Sequence, residues 1–305
     1  MATTIRDALR DAERALGPRW DSAASDALEL VSRALGDTRA GTRARGGEPL
    51  DAATVATLER WVTRRLAGEP VQYITGRAAF RDLDLEVSPA VLVPRPETEG
   101  LVEAVLEALR RESARWTRPR VLDLGTGSGA IALAILHEHP AASVVATDAS
   151  DGALAVARRN AEATGLTALE LREGDWFDAV GADERFEVIV SNPPYVAEGE
   201  AERLPSDVRD HEPALALYSG TSGLEALREI VDEAPRHLVA GGLLALELDE
   251  TRAREVAGWL EGAHDWRDVE LRDDLSGRPR VLLARREGGP AIAPAQWEEE
   301  RAPGE

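Results

Sequence analysis

The chain has 305 residues, 43% of them hydrophobic, so it is long enough for one large domain and a smaller one. Its formal net charge is −20, and such a charge repels phosphate backbones and disfavours nucleic acid as the main substrate. The absence of cysteine excludes disulfides, thiolate metal sites and thiol nucleophiles. Because we find no uncharged run of 18 apolar residues and no apolar signal segment, we expect a cytoplasmic protein without membrane contact.

Three amphipathic helices are predicted near the start of the chain. Apolar residues at helical spacing indicate helices over 4–16, 22–35 and 51–67, and a glycine follows each of them. The segment 39–48 is rich in glycine and arginine and is predicted to be a loop. A bundle of this size has too small a core for catalysis of its own. It could be a stabilising cap, but we favour a helical substrate-docking domain over residues 1–75.

The following segment is predicted to link this bundle to the remainder of the chain as a β-hairpin. Apolar and polar residues alternate over 78–93, and Ser88-Pro89 is a candidate turn, so the linker is assigned to 76–96. The run Pro-Arg-Pro-Glu-Thr-Glu at 94–99 then begins a helix.

Strands and helices alternate through residues 97–286. Strands are predicted at 120–124, 143–147, 169–172, 186–190 and 243–248, and helices at 130–137, 152–163 and 222–238. This alternation predicts a parallel sheet covered by helices on both faces. Two last strands, 267–271 and 280–284, have a connection too short for a helical crossover, so they should pair antiparallel. Residues 287–305, rich in proline, glycine and glutamate, are expected to be a disordered tail.

A glycine-rich turn follows the first strand of this region. The turn consists of Gly125, Thr126, Gly127, Ser128 and Gly129. Glycine lets a ligand approach the backbone, and the helix N-terminus offers free N–H groups. Asp148 ends the next strand, where a carboxylate can accept hydrogen bonds from both hydroxyls of a ribose. Because the turn lacks the Gly-x-Gly-x-x-Gly pattern and the phosphate-loop pattern, a nucleoside without phosphates is favoured over a dinucleotide.

Two further motifs follow later strands. Asp175 could accept the amino group of an adenine, and Trp176 could either cover that base or pack in the core. The loop Asn192-Pro193-Pro194-Tyr195 is predicted to be extended and stiff, because each proline fixes its own φ and restricts the residue before it. Such a loop presents an amide, backbone carbonyls and an aromatic ring to a flat group that carries an NH2. It could also be a plain turn with Tyr195 packed beneath it.

In this order and spacing, the motifs resemble those of class I S-adenosylmethionine-dependent methyltransferases. That resemblance implies a Rossmann-like α/β sheet with an antiparallel last strand, an added N-terminal helical bundle, and S-adenosylmethionine as the cofactor. The Asn-Pro-Pro-Tyr form is similar to enzymes that methylate a planar nitrogen of adenine or glutamine. With segments 68–76, 94–99, 212–215 and 274–281, residues 5–285 resemble the HemK/PrmC family, which methylates the glutamine of the Gly-Gly-Gln motif in peptide chain release factors.

The resemblance also implies roles for single residues. Those implied to bind the cofactor are Gly125, Thr126, Gly127, Ser128, Gly129, Asp148, Asp175, Trp176 and Asn192. Those implied to bind the substrate are Asn192, Pro193, Pro194 and Tyr195, of which Asn192, Pro193 and Tyr195 are the implied catalytic residues. No general base and no metal are required. One departure is Leu248-Asp249, where the family usually has Ile-Gly, and it puts only the local loop geometry in doubt.

Three alternatives remain at this point. An adenine-N6 methyltransferase shares the Asn-Pro-Pro-Tyr motif, but it should carry a basic groove and base-stacking aromatic residues. This chain is acidic, with seven Trp, three Tyr and three Phe. A ribosomal-protein glutamine methyltransferase resembles the chain less at 94–99. A non-catalytic S-adenosylmethionine-binding or scaffold protein should have lost Asn192 or the glycine turn, and both are present.

Overall fold

Residues 3–288, which this computed structural model describes, begin with a bundle of five helices. These are α1 (Ile5–Leu16), α2 (Ala23–Leu35), α3 (Arg39–Ala44), α4 (Ala52–Leu66) and α5 (Val71–Thr75). Helix α1 begins with a capping box, in which Thr4 Oγ1 accepts the Asp7 N–H while the Asp7 carboxylate accepts the Thr4 N–H. Leu16, Leu30 and Leu58 pack together in the core of the bundle.

Helix α3 lies where the sequence was predicted to form a loop, so that prediction is wrong. Thr38 caps the helix by accepting the Gly41 N–H at 2.9 Å, and Thr42 is fully buried. Arg39, at the start of the helix, also pairs with Glu29 of α2 at 2.7 Å. A capped turn with these tertiary contacts therefore forms a helix in spite of its glycine.

A two-stranded antiparallel ribbon follows, as predicted, but its turn is elsewhere. Strands β1 (Arg77–Phe80) and β2 (Leu83–Glu86) are joined at Arg81-Asp82, so the predicted turn at Ser88-Pro89 is wrong. Arg81 adopts a φ of +50° and forms ion pairs with Glu103 and Glu138. These contacts with later helices stabilise a turn that has neither glycine nor proline. Its one turn-favouring residue, Asp82, is a weaker local signal than Ser88-Pro89.

The remainder of the described chain forms a seven-stranded sheet. Its strands are β3 (Arg120–Leu124), β4 (Ser143–Asp148), β5 (Leu169–Glu173), β6 (Phe186–Ser191), β7 (Leu238–Glu247), β8 (Trp266–Asp273) and β9 (Pro279–Arg286). Their order is β5-β4-β3-β6-β7-β9-β8, and the first five are parallel. Strand β9 runs antiparallel to both β7 and β8. The predicted fold class is therefore confirmed.

The helices that follow the bundle are α6 (Thr98–Arg111), α7 (Ala130–Glu138), α8 (Asp151–Thr164), α9 (Ser206–His211), α10 (Ala214–Leu217), α11 (Glu225–His237) and α12 (Glu250–Glu261), with a 3-10 helix at Glu198–Arg203. Leu101 of α6 and Leu133 of α7 pack in the core on one face of the sheet. Leu227 of α11 and Val256 of α12 pack in the core on the other. No helix within residues 3–288 is long and apolar enough to cross a membrane.

Strands β3 and β6 lie side by side at the point where the strand order reverses. The chain leaves β3 toward β4 and β5, then returns to β6 on the opposite side of β3. In open α/β sheets, ligands bind in the crevice at the carboxyl ends of the strands beside such a reversal. The glycine turn after β3 and the Asn192 loop after β6 both lie at this crevice. The tail predicted over 287–305 falls outside the described residues, apart from its first two.

Candidate active site

Strand register brings the separate motifs to one edge of the sheet. Leu124 pairs with Thr147 on one side and with Ser191 on the other, so the residues after these strands are neighbours. The Ser191 hydroxyl donates a hydrogen bond of 2.7 Å to the Leu124 carbonyl. This contact fixes the end of β6 beside the start of the glycine turn.

A cavity of about 340 Å³ opens at this edge, within the size range of small-molecule sites. Of the predicted site residues, it is lined by Gly125, Thr126, Gly127, Ser128, Asp148, Asp175, Trp176, Asn192 and Pro194. Gly129, Pro193 and Tyr195 are not part of this lining: Pro193 is buried, and Tyr195 is half-buried against the core beneath the loop. Burial raises the pKa of Tyr195 to about 12, so its hydroxyl stays neutral.

The glycines of the turn have different surroundings. Gly127 has a φ of +57°, and a Cβ added there would meet nothing within 4 Å, so its backbone is open to the cavity. Gly129 has a φ of +82°, and a Cβ there would lie 3.2 Å from Leu133 and 3.3 Å from Ala157. Gly127 therefore leaves room for a ligand, whereas Gly129 lets helix α7 pack closely.

Two carboxylates hold the turn in place. Asp148 Oδ2 accepts the Gly127 N–H at 2.9 Å, and its Oδ1 accepts the Ser150 N–H at 2.9 Å. Each oxygen retains a lone pair for a further donor such as a ribose hydroxyl. Asp123 is fully buried beneath the turn, where it accepts the Thr126 hydroxyl at 2.7 Å, and burial raises its pKa to about 7. Sequence reasoning gave Asp123 no role.

Trp176 has an unusual backbone. Its φ of +38° is rare for a bulky residue, and its carbonyl accepts a hydrogen bond of 3.1 Å from the Thr147 hydroxyl. A Cβ on Gly125 would lie 3.5 Å from the indole ring, so the ring covers the start of the glycine turn. Trp176 therefore presents an aromatic surface to the cavity and also packs against the core on that face of the sheet.

Asn192 has two buried polar neighbours that sequence reasoning missed. Its Nδ2 donates to Thr98 Oγ1 at 3.2 Å, and Thr98 is 4% exposed. Glu247, at the end of β7, is 1% exposed, and burial raises its pKa to about 7. A carboxylate that ends an otherwise apolar buried strand was the signal that could have indicated Glu247.

The segment after β6 covers the cavity opposite the glycine turn. Pro213, Leu215 and Ala216 line it there, and Leu215 is 61% exposed at the rim. Glu212 pairs with Arg95 at 2.6 Å, although burial still raises the pKa of Glu212. The short helices of this segment were not predicted, and neither was α12.

Comparisons with known proteins agree with this geometry. Residues 101–206 match the family model described as "Methyltransferase small domain", and residues 7–76 match "PrmC N-terminal domain". The fold is shared with the T. thermophilus 16S rRNA N2 G1207 methyltransferase, solved with AdoMet and guanosine: TM-score 0.51, 21% identity, 69% of this chain and 50% of that chain. The fold is also shared with the hMettl16 catalytic domain, with a TM-score of 0.52 and 14% identity over 81% of this chain and 87% of that chain. Fold, site and family model together define an S-adenosylmethionine-dependent methyltransferase.

Sequence relatives narrow this class. The release factor glutamine methyltransferase of Xylella fastidiosa (strain Temecula1) is 46% identical, covering 85% of this chain and 92% of that protein. Those of Cereibacter sphaeroides and Deinococcus radiodurans are 44% and 42% identical, covering 90% and 87% of this chain and 97% and 91% of those proteins. The chain belongs to the release factor glutamine methyltransferase family, as its motifs predicted.

Proposed function

We propose that this enzyme transfers a methyl group from S-adenosylmethionine to the side-chain amide nitrogen N5 of the glutamine in the Gly-Gly-Gln motif of peptide chain release factors. The observation that carries this proposal is a single cavity lined by both the open backbone of Gly127 and the Asn192 amide. The same cavity has the carboxylates of Asp148 and Asp175 in its lining, which suit a cofactor with a positively charged sulfonium.

The cofactor-binding residues are proposed to be the turn from Gly125 to Gly129, with Asp148 holding the ribose hydroxyls. Asp175 and Trp176 would bind the adenine by its amino group and its face. When bound, S-adenosylmethionine supplies an electrophilic methyl group. Gly129 is included for its effect on the position of helix α7, since the cavity does not reach it.

Positioning and charge stabilisation provide the catalysis, because resonance with the carbonyl makes an amide nitrogen a poor nucleophile. The side-chain oxygen of Asn192, a residue that lines the cavity, accepts one N–H of the substrate amide. The Pro193 backbone carbonyl is proposed to accept the other on the strength of the family resemblance, although Pro193 is buried and outside the cavity lining. They fix the nitrogen and stabilise its positive charge as the N–C bond forms and the S–C bond breaks. The extra proton then leaves the nitrogen for water, so no side chain acts as a general base. Pro194 stiffens the loop, and Tyr195 supports it from beneath.

For the domains, we propose substrate docking by residues 1–75, a linker at 76–96 and methyl transfer by 97–286. A contact between the helical bundle and the segment after β6 supports this division into a docking domain and a catalytic domain. Arg65 of α4 is buried and pairs with Asp207 of α9 at 3.3 Å, which connects the bundle to the segment whose later residues Pro213 and Leu215 line the cavity. We also propose that the partner is a protein in the cytoplasm and that the enzyme makes no direct contact with nucleic acid, as the net charge of −20 favours.

A methyl-transfer assay with labelled S-adenosylmethionine tests the proposal. We expect label on a purified release factor, none on its Gln→Ala variant in the Gly-Gly-Gln motif, and none on bulk DNA or RNA. Asn192→Ala, assayed at saturating S-adenosylmethionine, should lose about 100-fold or more in kcat, by analogy with removal of one donor from an oxyanion hole. Label on nucleic acid alone, or full activity of Asn192→Ala, would show the proposal to be wrong.

A further inference from the structure

Three residues from distant parts of the chain form a series of polar neighbours beside the cavity. Strands β6 and β7 are parallel neighbours in which Ser191 pairs with Leu246, so Asn192 and Glu247 follow at adjacent positions. Thr98, the first residue of α6, lies next to both. Its hydroxyl oxygen accepts the Asn192 Nδ2–H at 3.2 Å, and its side chain is close enough to the Glu247 carboxyl to lower the pKa of that group.

The chemistry of these groups gives the series a direction. An ionised carboxylate can only accept, so the single proton of the Thr98 hydroxyl is directed to Glu247. The Thr98 oxygen is then left as an acceptor, and only the NH2 side of the Asn192 amide can approach it. The amide is planar, so its Oδ1 points the other way, and within residues 3–288 no donor reaches that oxygen.

We propose that Thr98 and Glu247 are positioning residues that hold the Asn192 amide with its oxygen available to the substrate N–H. This inference rests on the proposed role of Asn192. A side-chain amide can rotate by half a turn, which exchanges its acceptor and its donor. In the rotated form, the NH2 of Asn192 would face the NH2 of the substrate, and the substrate would lose one of its two acceptors.

The ionisation of Glu247 gives the series a pH dependence. Burial raises the pKa of Glu247 to about 7, and the charge of Glu97 acts in the same direction, whereas the Thr98 hydrogen bond opposes it. The other charged or titratable groups that face Glu247 are Arg280, Arg95 and Tyr195. Below about pH 7, Glu247 gains a proton that it can donate to Thr98, which then no longer has to accept from Asn192. We therefore expect kcat to fall as the pH falls through about 7.

Matched substitutions test the proposal in the full-length enzyme with a release factor as substrate. Thr98→Val keeps the shape of the side chain and removes the hydroxyl, and we expect it to lower kcat about 10- to 100-fold. Thr98→Ser keeps the hydroxyl and should keep most of kcat. The Kd for S-adenosylmethionine and the melting temperature should stay close to the wild-type values in both. Glu247→Gln can donate as well as accept, so its kcat should be reduced and should lose the fall below pH 7.

Several outcomes would overturn the proposal. Wild-type kcat in Thr98→Val, or equal losses in Thr98→Val and Thr98→Ser, would leave Thr98 with a structural role only. If Thr98→Val does not fold, the Glu247→Gln pH profile decides, and an unchanged acid limb refutes the idea. These results leave the proposed function intact as long as Asn192→Ala is inactive. An active Asn192→Ala enzyme would instead remove the basis of both proposals.

Discussion

Replacing Gly127 by alanine tests why this position is glycine: because a ligand approaches its backbone, or only because its backbone is left-handed. Gly127 and Gly165 both have left-handed conformations, with φ of +57° and +71°, and a Cβ added to either meets nothing within 4 Å. Gly165 ends helix α8 and is not part of the cavity lining, whereas Gly127 lines the cavity. Gly165→Ala is therefore a control that has the same backbone cost without the ligand.

The stability cost can be worked out from this geometry. A left-handed conformation costs an alanine about 1–2 kcal/mol. Restricting the unfolded chain returns about 0.4–1 kcal/mol, so each variant should lose about 1 kcal/mol of unfolding free energy. For a chain of 305 residues, that loss lowers Tm by about 1–2 °C, because the unfolding entropy grows with chain length. Because the two glycines have similar φ and similar space, the two variants should melt at nearly the same temperature.

Cofactor binding should distinguish the two variants. The methyl group on residue 127 would enter the cavity next to the N–H that donates to Asp148, where the ligand has to approach the backbone. We expect the Kd for S-adenosylmethionine to rise at least about 10-fold in Gly127→Ala, which is about 1.4 kcal/mol. In Gly165→Ala the Kd should be unchanged. Isothermal titration calorimetry gives Kd, and scanning calorimetry gives Tm. Equal Kd values in the two variants would refute the assignment of the glycine turn to the cofactor.

Two further predictions concern charged groups. Burial raises the pKa of Asp148, so cofactor binding should weaken as the pH falls through that raised value. Asp148→Asn should bind the cofactor about 10-fold more weakly, and its Kd should not depend on pH in this way. A wild-type Kd in the variant would contradict this prediction. Arg65→Ala should lower the urea-measured unfolding free energy by about 3 kcal/mol, because it leaves Asp26 and Asp207 without their buried partner. As a control, Arg14→Ala removes an exposed arginine and should change the unfolding free energy by less than about 0.5 kcal/mol. Similar losses in the two variants would contradict the argument.

The sequence determined the sheet and the motifs because their signals are local. Buried parallel strands appear as short apolar runs, and a turn that needs positive φ appears as glycine, so β3, the turn after it and the Asn192 loop were all predictable. The antiparallel final pair followed from the short connection after β8. The turn at Arg81-Asp82 was not predicted, because Asp82 is its only turn-favouring residue and ion pairs with α6 and α7 stabilise it.

Only the tertiary structure decided which side chains surround Asn192. Thr98 lies 94 positions earlier, in a motif that the sequence identified only as the start of a helix, and Glu247 ends a strand that looked purely structural. The pairing of β6 with β7 and the packing of α6 against the sheet bring them together. Periodicity and turn signals describe neighbours along the chain. The burial that raises the pKa of Glu247, and the orientation of the Asn192 amide, depend on residues that meet only after folding.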